Sequence, residues 1–102
     1  MITIDYNELS KKYNQILTST SRGFDTKYEF LESWVPSTDL TQSVSDLVNS
    51  ALDYDITELE IIFLEKELEN LNISTLEKKF NNICNINFII KKLIIKKKIM
   101  QN

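Results

Sequence analysis

The stretch ITELEIIFLEKELENL, Ile56 to Leu71, decides how the rest of the chain is read. Thr57 and Glu60 have the S/T-x-x-E spacing of a capping box. In that device the hydroxyl accepts from the N–H three residues on, and the carboxylate reaches back to the N–H of the cap residue. Ile56 and Ile61 stand at the two ends of a hydrophobic staple. At about 100° per residue, Ile61, Leu64, Leu68 and Leu71 share one arc of a helix, and Leu59 and Phe63 a second. Two apolar arcs predict a helix over 58–71 that is touched from two sides, as in the middle of a bundle. Glu58, Glu65 and Glu69 form a separate stripe. Lys66 is the only base among five glutamates there, so i,i+4 pairing does not account for the stripe.

Toward the C-terminus, Asn72 suits a helix C-cap. Ser74 and Glu77 repeat the capping-box spacing, followed by Leu76, Phe80, Ile83 and Cys84 at inward positions. This predicts a helix over 75–95. From Asn85 onward the apolar residues of a helix split onto two sides: Ile86, Ile90, Leu93 and Ile94 on one, Phe88, Ile95 and Ile99 on the other. Isoleucine at this density also suits strand, and Ile86-Phe88-Ile90 alternates with Asn87 and Ile89. Helix, strand and a frayed tail ordered against a partner therefore stay open for this segment.

Toward the N-terminus, Leu40, Val44, Leu47, Val48, Ala51 and Leu52 recur at i, i+4, i+7, i+8, i+11 and i+12, after cap candidates Ser37, Thr38 and Asp39. They predict a helix over 39–53. Asp5 and Glu8 have capping-box spacing, and Tyr6, Leu9, Tyr13, Ile16 and Leu17 predict a helix over 6–18, closed by the loop TSTSRG at 18–23. A short helix over 27–34 fits Thr26, Glu29, Phe24, Tyr28, Leu31 and Val35. The alternation of Tyr28 and Phe30 with Lys27 and Glu29 leaves a strand open for 24–34. Pro36 pushes Val35 out of the helical region and ends the element. Trp34 is expected in the core with its N–H satisfied, in preference to a surface anchor.

The fold class expected from these patterns is all-α, a small bundle of four to five helices (6–18, 27–34, 39–53, 58–71 and 75–95). A chain of 102 residues makes one domain. One glycine and one proline leave few residues for tight turns, which disfavours an all-β fold. The net charge of −3 hides a division: residues 1–77 hold all fifteen acids and five bases, a net −10, and residues 78–102 hold seven lysines and no acid. The chain accordingly divides into an acidic helical domain, 1–84, and a basic Ile/Lys-rich segment, 85–102.

The residue types exclude much chemistry. There is no histidine, which removes the commonest general base, Ser-His-Asp and Cys-His nucleophile arrangements, and imidazole metal sites. Cys84 is alone and reads as a small buried hydrophobe. Asp53-Tyr54-Asp55-Ile56-Thr57 opens like a calcium loop, but Glu58 stands where glycine is needed and Leu64 where a bidentate glutamate is needed. No cofactor, metal or catalytic residue is expected, and the chain is read as a non-enzyme. The N-terminal MITIDYNELS has no basic start followed by an apolar run, and no apolar run approaches the length of a membrane span. With the lone cysteine, this points to a cytoplasmic setting.

The function expected from charge is an inhibitor or immunity-type binding protein. Its acidic helical face would cover a basic protein, such as a nuclease or another nucleic-acid-handling enzyme. The contact residues are Glu58, Glu65, Glu69, Asp46, Asp53 and Asp55, with Tyr54 as an aromatic anchor between acids. The alternative is a structural or regulatory helical protein that forms a homo-oligomer through the C-terminal segment. Nucleic acid is a weaker alternative. Helix 58–71, the Asn72-Ile73 joint and STLEKKF outline a helix-turn-helix, but the first helix is acidic and the second has no Arg or Gln to read base edges.

Overall fold

The computed structural model describes residues 1–11, 26–32 and 34–98. It corrects the expected fold class. The chain is a mixed α/β fold built on a four-stranded sheet, not an all-α helical bundle. In chain order come β1 (Ile2–Asp5), a helix α1 that is described over 6–11, a 3-10 turn (Thr26–Leu31), α2 (Leu40–Asp53), β2 (Glu58–Ile62), a single-turn α3 (Glu65–Leu68), α4 (Ile73–Phe80), β3 (Cys84–Ile89) and β4 (Lys92–Lys97). The sheet order is β1-β2-β4-β3. β1 lies parallel to β2, and β4 is antiparallel to both β2 and β3.

The expected helix 58–71 is the main error. Residues 58–62 are a strand, and only Glu65–Leu68 are helical. Its two apolar arcs were the signal. Leu59, Ile61 and Phe63 alternate with Glu58, Glu60 and Ile62, which is the period of a pleated strand with one face buried. The helix expected over 75–95 stops at Phe80 for the same reason. Beyond it the isoleucines alternate through β3 and β4, joined by a two-residue turn at Ile90-Lys91. The segment 27–34 is a 3-10 turn over Thr26–Leu31, not an α-helix. The second half of the helix expected at 6–18, the loop at 18–23 and Phe24 lie outside the described residues.

Other local expectations hold. The Asp5 carboxylate accepts from the Glu8 N–H at 3.1 Å and opens α1. Asp39 accepts from the Gln42 N–H at 3.3 Å and opens α2. Asn72 is a cap, but of the following helix: its side chain accepts from the Thr75 N–H at 3.0 Å, so α4 starts before Ser74. α2 ends in a Schellman motif. The Ile56 N–H reaches the Ala51 carbonyl at 3.0 Å and the Asp55 N–H the Leu52 carbonyl at 3.1 Å, with Asp55 at φ 59°.

The structure is two layers thick, with extents of 43 × 35 × 19 Å. One face of the sheet presents Ile4, Leu59, Ile61, Leu93, Ile95 and Cys84 to a core completed by Leu9, Phe30, Leu31, Val44, Leu47, Val48, Ala51, Leu76 and Phe80. Tyr6, Trp34 and Phe63 form an aromatic cluster within it. Tyr6 meets Trp34 edge-on at 6.1 Å between ring centroids and Phe63 tilted at 5.6 Å. Trp34 is in the core as expected, and its indole N–H donates to the Ser43 carbonyl at 2.9 Å. The Ser43 hydroxyl donates to the Ser37 carbonyl at 3.0 Å and accepts from the Ser37 N–H, which pins the segment ahead of α2. Thr41 ties α2 to the α3–α4 joint by donating to the Asn70 carbonyl and accepting from the Asn72 N–H.

Burial and the nearby Glu67 charge push the Tyr6 phenol above its ordinary value of 10.0, while its hydrogen bond with Ser43 acts the other way. The neutral phenol is thus favoured by the fold. Stability from this group is intact below about pH 10 and falls as pH rises through the folded value, because the unfolded chain ionises first. Urea melts at increasing alkaline pH should show this decline, and Tyr6→Phe should flatten it.

Ile90 also stands out. It has φ 58° and is 81% exposed at the tip of the β3–β4 turn. A β-branched residue in the left-handed region costs about 1–2 kcal/mol, which asparagine tolerates better. Ile90→Asn should therefore stabilise the protein by about 1 kcal/mol, a rise of about 4–8 °C in Tm by calorimetry.

Candidate functional site

The sheet places the expected contact residues on separate elements. Glu58 is on the outer face of β2, Glu65 in the first turn of α3, and Glu69 in the turn after it. They do not share one helix face. Asp46 is half-buried on α2 and accepts from the Gln42 amide at 2.9 Å. Asp53, Tyr54 and Asp55 do stay together, exposed at the C-terminal end of α2. The chain runs from them into β2, and they lie at the negative end of the α2 dipole.

Pairing across the sheet also accounts for much of the charge division. Glu58 lies directly opposite Lys96, and Glu60 reaches Lys92 at 4.0 Å on the outer face. Such partly exposed pairs are worth about 0–1 kcal/mol each, but opposite charges on facing strands favour one register over its alternatives. Lysines 92 and 96 therefore belong to the same sheet as the acids of β2.

β4, although it follows β3 in the chain, is an interior strand, which leaves β3 at the edge. Its ladder can be worked out bond by bond. The Lys98 N–H donates to the Ile83 carbonyl at 2.8 Å, so Ile83 and Lys98 are a hydrogen-bonded pair. Pairs alternate in an antiparallel ladder, so Asn85, Asn87 and Ile89 also turn their backbone groups toward β4. The Lys97 N–H bond to the Thr57 carbonyl, at 2.8 Å on the far side of β4, agrees with this phase. The N–H and C=O groups of Cys84, Ile86 and Phe88 then point away from the sheet. Among the described residues nothing pairs with them.

Edge strands in soluble proteins are usually shortened, charged or interrupted by proline. β1 is four residues long and ends in Asp5. β3 is six residues long, CNINFI, with neither charge nor proline. Its outer face carries Asn85, Asn87 and Ile89, all exposed, and its inner face Cys84, Ile86 and Phe88. Cys84 is buried, and burial raises its thiol above the ordinary value although Lys97 and Lys98 pull the other way. Sequence reasoning missed this edge because it depends on β4 entering the sheet between β2 and β3. The alternation of Ile86 and Phe88 with asparagine was the available signal.

Shallow depressions occur among the described residues. One is lined by Thr57, Glu58, Asn85, Lys96, Lys97 and Lys98, another by Tyr6, Ser37, Thr38, Leu40, Lys66, Glu67 and Asn70. Among the described residues no three His, Cys, Asp or Glu side chains come together as metal ligands, and no helix is long and apolar enough to cross a membrane. No family model, curated protein or solved structure matches the chain.

Proposed function

We propose that the chain is a non-catalytic protein-binding module that receives an extended segment of its partner along the outer edge of β3. The observation that carries this reading is the unpaired backbone groups of the half-buried Ile86 and Phe88, on a strand without the charges or proline that block strand addition. Backbone hydrogen bonds would supply affinity there, and alternate side chains specificity. Amide hydrogen exchange tests it. In the free protein the Ile86 and Phe88 amides should exchange quickly and those of Asn85 and Asn87 slowly. A neutral strand-forming peptide of alternating threonine and valine should slow Ile86 and Phe88. Unchanged exchange at saturating peptide would defeat the reading.

A second reading keeps the inhibitor-type capture of a basic protein. It rests on Asp53 and Asp55, which flank the exposed Tyr54 at a helix end where fold stability favours cations. Neutralising both as Asp53→Asn and Asp55→Asn should raise stability slightly while weakening low-salt binding to polylysine. If polylysine binding is unaffected, this surface is not used in that way.

A further inference from the structure

Resting on the strand-addition reading, we infer that the segment received by β3 is uncharged in its middle and acidic at both ends. β3 carries no charged side chain over its six residues, so a charged group in the middle of an added strand would find no counter-ion on the neighbouring strand. The inner row, Ile86 and Phe88, is apolar and only half-buried, and offers an apolar strip to alternate side chains of the guest. The outer row offers the amides of Asn85 and Asn87.

Both ends of the strand are basic. Lys91 and Lys92 lie at the hairpin end. Lys96, Lys97 and Lys98 lie at the other end of β4, and α4 brings Lys78 and Lys79 to its last turn beside the start of β3. Part of this charge is already engaged. Lys92 reaches Glu60, Lys96 faces Glu58, and the Lys98 ammonium donates to the Asn81 carbonyl at the end of α4. Lys78, Lys79, Lys91 and Lys97 have no carboxylate within ion-pair distance among the described residues, and Lys79 lies over the Phe80 ring at 5.9 Å. A six-residue strand spans about 20 Å, so the two basic ends lie beyond one Debye length of each other and attract separate groups.

The same charges argue against a second copy as the occupant. Two-fold antiparallel pairing of β3 with itself sets the hairpin end of one copy beside the α4–β4 end of the other. That brings lysine to lysine at both ends. An acidic-ended segment turns the same lysines into attraction, whichever way it runs.

The test uses three capped peptides with a common threonine–valine centre, flanked by two glutamates, two serines or two lysines at each end. At low salt the glutamate-flanked peptide should bind at least about 10-fold tighter than the serine-flanked one, with the lysine-flanked one weakest. At about 0.5 M salt the gap should shrink to within about twofold. Lys91→Glu with Lys78→Glu should narrow the gap between the glutamate-flanked and serine-flanked peptides. Equal binding of all three peptides would overturn the acidic ends and leave strand addition standing. Binding of none would remove strand addition itself. A dimer in light scattering that dissociates in Asn87→Lys would identify a second copy as the occupant and overturn the inference.

Discussion

Ile61→Ala is expected to destabilise the protein by about 2–5 kcal/mol, and Leu64→Ala by less than about 1 kcal/mol, measured by urea denaturation. On a helix over 58–71 the two side chains would share one buried arc and their losses would be comparable. In the sheet they differ. Ile61 is wholly buried at the centre of β2, between Ile4 of β1 and Leu93 of β4, while Leu64 lies past the strand end and is 38% exposed. Removing three carbons from a site packed on both flanks leaves a cavity that paired strands cannot close without breaking ladder bonds. Similar losses from the two variants would rule out the strand register described here.

Trp34→Ala should cost about 3–5 kcal/mol, close to the whole stability of a marginal domain. The indole is 1% exposed, meets Tyr6 edge-on, and donates to the Ser43 carbonyl. Its loss would open a cavity next to the Ser43–Ser37 contacts that hold the start of α2. Trp34→Phe separates the contributions, since it keeps most of the packing and gives up the hydrogen bond. It should lose about 1–2 kcal/mol, from the unpaired carbonyl and the smaller ring. Equal losses from the alanine and phenylalanine variants would mean that the hydrogen bond dominates the ring's packing.

The contrast between these sites shows what could be read from residues alone. The caps at Asp5 and Asp39 and the apolar stripe of α2 depend on neighbours a few residues away, and the spacing of those neighbours is visible. Residues 56–71 satisfy two periods at once over a short run. ELEIIF alternates, yet Ile61, Leu64, Leu68 and Leu71 also keep helical spacing. The choice was made by Ile4, Leu93 and Ile95, which lie 30 or more positions away in the chain. Charge was misread for the same reason. Glu58 and Glu60 look like an unbalanced helix face until β4 sets Lys96 and Lys92 against them. The β3 edge was out of reach for sequence reasoning, because a strand becomes an edge only once the order of the sheet is known.

That order also governs when the protein can form during synthesis. Until residues 92–97 have left the ribosome, β2 and β3 have no strand between them, and both offer bare backbone to whatever is nearby. The parallel β1–β2 pair closes a loop of more than fifty residues, which is slow on its own. The nascent chain therefore stays aggregation-prone until nearly all of this stretch is made, and a ribosome stalled before Lys92 should leave a product dependent on chaperones.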